Sequence, residues 1–260
     1  MGAGLFRVKK GINYLLLEDI KQSSFSDVFT CSYSKDGKSQ TGALKICRSK
    51  DSSLEIAQNL IGIANRKSCN HFPLLIDYGL FLSHQFVVME LLGRDLKSLQ
   101  RSMPALKFSM CTAIHLVDQC LKAIHRQHGK KEIVYILGFS KTKKLHSGRF
   151  NDIIAFTGTV GWLGNRRYAS LRAHQGWDLG RRDDVESWLY RSIMLIAGSL
   201  PWGKLPTAMK YIVRKRLKNN CGKIDTISVL ANVPYEYFRE KISQFCVLND
   251  IPKLDKYDWE

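Results

Sequence analysis

The period of the apolar residues changes part-way along this chain, and the change divides it in two. Up to about residue 92 they fall in short runs with β-branched members: Leu15 to Ile20, Ser26 to Ser32, Gly42 to Cys47 and Gln85 to Leu91. Polar turns separate the runs, a pattern that predicts strands. Lys35-Asp36-Gly37-Lys38 carries the Asp-Gly pair of a tight hairpin. One helix is expected among the strands, from Ser53 to Ala64, with apolar residues at 54, 57, 60, 61 and 64. From Ser109 onward the period is helical. Met110, Ala113, Ile114, Val117, Leu121 and Ile124 form one stripe, with Ser109 as its N-cap. Asp184 to Ala197 is apolar on almost every face, which predicts a buried helix that Gly198 stops and Pro201 keeps from resuming. More helix with polar loops is expected over 206–245. The chain therefore reads as a small β-rich part followed by a larger helical one.

Composition narrows the class. With 260 residues and 45% hydrophobic content the chain can build one sizeable core or two lobes, and disorder is not expected. No run of 18 apolar residues exists, so no membrane span is expected. Met1 to Arg7 lacks a long apolar stretch, so no secretory signal is read there, and Phe6 spoils a myristoylation match. The seven cysteines (31, 47, 69, 111, 120, 221 and 246) are odd in number, irregularly spaced and free of any C-x-x-C. A disulfide framework or zinc site is not expected, and a reducing, intracellular location (cytoplasm, nucleus or both) is. Cys69 and His71 read as a buried thiol near a surface imidazole rather than as metal ligands. Lys and Arg number 40 against 23 Asp and Glu, a net charge of +17. The surplus gathers at 141–144, 166–167, 181–182 and 214–218. Such a surface could meet nucleic acid or anionic membrane, but no base-stacking motif accompanies it, so nucleic acid is not an expected partner.

Seven short strings lie in order along nearly the whole chain. They are Ala43-Leu44-Lys45-Ile46, Val87 to Gly93, Val134-Tyr135-Ile136-Leu137, Gly158-Thr159-Val160, Arg167-Tyr168-Ala169-Ser170, Arg181 to Trp188 and Gly198 to Trp202. Together they resemble the eukaryotic protein kinase domain. Within it they resemble the casein kinase 1 group, in its tau-tubulin-kinase-like branch common in nematodes, here in degenerate form. The resemblance implies an α+β, two-lobed protein-kinase-like fold over 1–260, with an N-lobe of about 12–92 and a C-lobe of about 93–250. It also implies descent from ATP-dependent serine/threonine kinases.

The parts such an enzyme needs can be checked one by one. A glycine-rich loop brings backbone amides close to the ATP phosphates. The matching stretch, Ile20 to Val28, fills the glycine positions with Lys21, Ser23 and Ser26, and keeps Phe25 at the tip and Val28 as roof. The strand lysine is Lys45, behind Ala43. Its helix glutamate is either Glu55 or, by ungapped spacing, position Asn59. Met89 resembles the residue that guards the purine slot, with the backbone of Glu90 and Leu92 at the adenine edge. After Gly129 the chain passes through Lys130-Lys131-Glu132 directly to Ile133, and no H-R-D occurs. The general base, its lysine and the second magnesium ligand are missing with that segment. Gly138 replaces the other metal-binding aspartate, so magnesium is not expected and any ATP binding should be weak and metal-independent.

Gly161 to Arg166 are interposed in the substrate-docking segment, and the tail after Phe245 is shorter than the family's. The expected protein is thus a kinase homologue without catalytic residues, a pseudokinase. It would act by binding acidic or phosphorylated proteins, received in the family by arginines such as Arg181 and Arg182, or by regulating an active related kinase. An active kinase, if the chain is a splice variant, is the alternative, and a nonfunctional product is the third. Three residues reach about 10 Å at most, so either the helix ending near Gly129 unwinds or the expected strand Ile133 to Leu137 shifts. Asp184, whose partner in the family lies in the missing segment, should then be hydrated, paired with a basic side chain or bonded to new amides.

Overall fold

The computed structural model describes residues 4–7, 13–23, 26–47, 53–125, 133–144, 146–147, 152–154, 158–162, 164–205, 215, 227 and 233–260. Phe25, the connection 129–132, Cys221, most of the basic run 214–218 and most of the helix expected over 206–245 lie outside them. The fold is α+β and two-lobed. Its units are Met1–Gly93 with Arg126–Thr142, and Arg94–His125 with Lys143–Glu260.

The first unit is a six-stranded antiparallel sheet with one helix. The elements are β1 (Gly4–Arg7), β2 (Asn13–Gln22), β3 (Ser26–Lys35), β4 (Lys38–Cys47), α1 (Ser53–Arg66), β5 (Leu75–Phe81) and β6 (His84–Glu90). The spatial order is β1-β2-β3-β4-β6-β5. Asp36 and Gly37 both take positive φ (51° and 72°), the conformation a two-residue hairpin needs, and Lys35 faces Lys38 across it. One sheet face buries Tyr14, Cys31, Tyr33, Leu44, Phe86 and Val88. The other is covered by α1 through Leu54, which meets Cys47 and Val87. The apolar positions read from the sequence do face inward in α1: Leu54, Ala57, Ile61 and Ala64 are buried.

β5 carries two residues that argue against a strand, and the structure explains both. Asp77 is buried and accepts a hydrogen bond from the Tyr14 hydroxyl at 2.9 Å. A Cβ at Gly79 would meet the Phe86 ring at 3.2 Å, so a larger residue there would press on the cross-strand packing.

The expected strand Ile133 to Leu137 is not a strand: 133–138 has no regular structure. A strand needs a ladder partner, and the sequence lacks the segment that would supply one. His71 fastens this stretch instead. Its carbonyl accepts from Ile136 N at 3.0 Å, and its Nδ1 lies 2.9 Å from Val134 O. His71 is buried and Cys69 half-buried, the reverse of the expectation for this pair, because the imidazole is part of that attachment.

In the second unit α2 (Leu96–Ser102) is capped by Asp95, and α3 (Met110–His125) by Ser109, whose Oγ accepts from Thr112 N at 3.2 Å. Ala113, Ile114, Val117 and Leu121 are buried, whereas Met110 is exposed, and Phe108 is the buried residue at that helix start. Two short strands, β7 (His146–Ser147) and β8 (Asp152–Ile153), pair with each other. α4 (Leu171–His174), α5 (Arg181–Ala197) and α6 (Tyr235–Leu248) follow. α5 ends at Gly198, with φ 73°, as its sequence signals require. Its buried set is not all apolar: Glu186 is fully buried, accepting from Leu171 N and from the Tyr190 hydroxyl, each at 2.7 Å. Trp188 Nε1 donates to Val117 O at 3.0 Å and so ties α5 to α3. Among the described residues no helix is long and apolar enough to cross a membrane.

Candidate functional site

Strand register in the first unit places the nucleotide-side residues on one sheet face. Directly opposed residues of antiparallel strands share a face. Val28 opposes Lys45, Ala43 opposes Met89, and Lys45 opposes Val87. Val28, Ala43, Lys45 and Met89 therefore line one surface, with Ala43 buried and the other three half-buried. Glu90 and Leu92 follow Met89, both half-buried. The Glu90 amide is already taken by Leu74 O at 2.9 Å. Burial first, and the neighbouring Glu90 carboxylate second, raise the Tyr135 hydroxyl pKa.

Lys45 does not meet a helix carboxylate. Glu55 and Asn59 both lie on the exposed side of α1, since the helix turns Leu54, Ala57 and Ile61 inward. Among the described residues no ion pair to Lys45 occurs. Burial lowers its ammonium pKa, nearby Cys47 opposes that shift, and Lys21 adds to it. A half-buried cation with a second lysine nearby suits an anionic ligand.

Two serines of the stretch that matches a phosphate loop bond to each other. Ser23 N donates to Ser26 O at 3.1 Å, Ser23 Oγ donates to the same carbonyl at 2.7 Å, and Ser26 N donates to Ser23 Oγ at 3.0 Å. The Ser26 amide thus has a serine hydroxyl as its partner, which a glycine at 23 would not supply. Gly138 sits in left-handed backbone, φ 93°, and offers no carboxylate. The next residue, Phe139, is buried with Ala57, Ile61 and Ala64 and stacks on Phe72 at 5.1 Å, which anchors this turn under α1. The face formed by Val28, Ala43, Lys45 and Met89 is thus apolar with one half-buried cation. Among the described residues no three His, Cys, Asp or Glu side chains could hold a metal ion together.

The second unit holds the basic side chains that the sequence singled out, many of them already engaged. Arg182 Nη1 donates to Ile227 O at 3.1 Å, and Arg181 is half-buried with a partner of its own. Arg166 lies over the Trp162 ring and Arg191 over Tyr168, 5.2 and 4.0 Å from the ring centroids. The interposed Trp162 also packs on His174 at 5.0 Å. Lys143 pairs with the buried Asp178 at 2.5 Å. At the α5 start the buried carboxylate is Asp183, which accepts from Gly180 N at 2.9 Å. Asp184 is an exposed residue, and burial around its carboxyl first, then the Asp183 charge, push that group up to about 6. Sequence reasoning missed the neighbouring Tyr135 and Glu90, the roles of His71 and Asp183, and the self-bonded serines. Only the serines left a signal, as residues with side-chain hydroxyls at glycine positions.

No known family profile matches the sequence. The structure of vaccinia related kinase 3 superposes with a TM-score of 0.77 over 97% of this chain and 93% of that one, at 16% identity. The fold is that of the protein kinases. The serine/threonine-protein kinase spe-6 of Caenorhabditis elegans is 28% identical over 210 residues, 73% of this chain. The match spans 55% of spe-6, so this kinase-like chain covers about half the length of that relative.

Proposed function

We propose that this chain is a kinase homologue of the casein kinase 1, tau-tubulin-kinase-like type that binds proteins and does not transfer phosphate. The observation that carries the proposal is the sequence between Gly129 and Ile133, three residues where a general base and a metal ligand are needed. Gly138 and the self-bonded Ser23 and Ser26 support it from the first unit. Its partners would be acidic or phosphorylated proteins, or an active related kinase, in keeping with the +17 charge. A purine nucleotide would bind weakly, its base against Ala43, Met89 and the backbone of Glu90 and Leu92, its anion beside Lys45, and without help from magnesium.

Purified protein incubated with radiolabelled ATP, magnesium or manganese and casein should label nothing above a blank. Labelling that Lys45→Ala abolishes would overturn the proposal and favour the active-kinase alternative. A thermal-shift titration with ATP should give the same small stabilisation with and without magnesium. A shift that appears only with the metal would remove the metal-independent part.

A further inference from the structure

Helices α3 and α6 carry a thiol each at matching heights. Asp118 Oδ1 of α3 lies 3.7 Å from Arg239 Nε of α6. Cys111 is seven residues before Asp118, and Cys246 is seven residues after Arg239. Seven residues are close to two full turns, about 10.5 Å, and bring a side chain back to nearly the same azimuth. In antiparallel register the two cysteines therefore stand opposite each other, two turns beyond the ion pair. Both line one groove of about 840 Å³, which Ile114 and Ser243 share between them. Both are half-buried and free. The Cys246 thiol is pushed up by burial first and by neighbouring Cys111 second.

We infer that Cys111 and Cys246 form a reversible disulfide that staples α3 to α6 when the chain meets a small-molecule disulfide such as glutathione disulfide. The Cys111 thiolate attacks one sulfur of glutathione disulfide, forming a mixed disulfide and releasing one glutathione thiolate. The Cys246 thiolate then attacks Cys111 Sγ, forming the protein disulfide and releasing the second. Two protein thiols lose two electrons and two protons, and one glutathione disulfide gains them to become two glutathione thiols. Cys246 is a poor thiolate, so the reaction is slow and its equilibrium is the useful readout. The staple also removes a proton that matters locally: Cys111 Sγ donates to Pro252 O at 3.3 Å in the segment after α6. Oxidation exchanges that contact for a covalent tie.

The test uses the full chain, equilibrated in glutathione redox buffers, capped with N-ethylmaleimide, digested and mapped by mass spectrometry. A linked Cys111–Cys246 peptide pair should grow with the disulfide-to-thiol ratio and vanish in dithiothreitol. Cys111→Ser and Cys246→Ser should each abolish it, and Cys69→Ser should leave it. Oxidised wild-type protein should melt about 5 °C higher than reduced protein, with no such rise in Cys246→Ser. Glutathione left on either cysteine without linkage, preferential pairing of other cysteines, or no reaction in folded wild-type protein would each overturn the inference. The wild-type map decides the question even if a variant fails to fold.

Discussion

Lys45 in the sheet unit and Glu186 in the helical unit are both charges withdrawn from water, and their surroundings differ in kind. Glu186 is fully buried, and one of its oxygens accepts from both Leu171 N and the Tyr190 hydroxyl. It joins α4 to α5 and is part of the framework. Lys45 is half-buried and has lost hydration without gaining a carboxylate among the described residues. A buried charge that accepts hydrogen bonds from two elements is held in the framework, whereas one left facing a ligand surface costs stability until something binds. The contrast assigns the first residue to architecture and the second to recognition, and mutation can break that assignment.

The largest effect is expected at Glu186. Glu186→Ala leaves two buried donors without an acceptor, a loss of about 3 kcal/mol or more. That corresponds to a fall of roughly 6–12 °C in melting temperature for a chain of this size. Glu186→Gln keeps a carbonyl acceptor and should lose less. Equal small losses in both variants would show that Glu186 is not a structural bond-maker.

A smaller effect is expected at Asp258, which fastens the segment after α6 to the start of α3. Its carboxylate accepts from Ser109 N at 2.6 Å, Ser109 Oγ at 2.7 Å and Thr112 Oγ1 at 2.9 Å. Burial pushes this carboxyl up, but the bonds from Ser109 and Thr112 outweigh it and hold it below the usual range. Its folded value lies below its unfolded value, so the stabilisation is present above the ordinary carboxylate range. It is lost as pH falls through the lowered value. The group is exposed, which limits the effect to about 1 kcal/mol, the scale of a helix cap. Asp258→Asn should melt about 2–4 °C lower at pH 7, with the gap closing below about pH 4 as the wild-type carboxylate protonates. A gap that persists in acid would mean the segment is held by Tyr257 and Trp259 rather than by this carboxylate.

What the sequence made legible follows the same division. Elements with a regular period were readable: the β3–β4 hairpin from Asp36-Gly37, the inward face of α1, and the Ser109 cap of α3 all appear in the fold. β5 was not readable, because its Asp77 and Gly79 look like strand breakers until Tyr14 and Phe86 are placed against them. Ile133 to Leu137 was misread as a strand because local propensity says nothing about a missing ladder partner. At the candidate site, Val28, Ala43, Lys45 and Met89 share a face through register, which alternation alone can suggest. The outward side of Glu55 and Asn59 follows from the same period that turns Leu54, Ala57 and Ile61 inward, whereas the turning of Ser23 and Ser26 onto each other depends on loop closure, which no spacing rule carries.

The smallest effect, and the one with the opposite sign, is expected at Lys45. Methionine has nearly the same length and shape without the charge, so Lys45→Met tests the desolvation alone. With no carboxylate partner among the described residues to strand, the variant should be as stable as wild type at pH 7 or more stable by up to about 1 kcal/mol. The pH dependence has a definite direction. Burial lowers the folded pKa of Lys45 below its ordinary 10.5, so the folded state gives up the proton first. Wild-type stability should then rise relative to the variant as pH climbs through the lowered value toward 10.5, and the gap between the two should close. Saturating ATP should invert the order at pH 7, because the wild type regains a counter-charge that methionine cannot use. Urea melts of both proteins at pH 7 and pH 9.5, with and without nucleotide, measure all of this. A clear loss of stability in Lys45→Met at pH 7 without nucleotide would reveal a carboxylate partner for Lys45, and the contrast with Glu186 would fail.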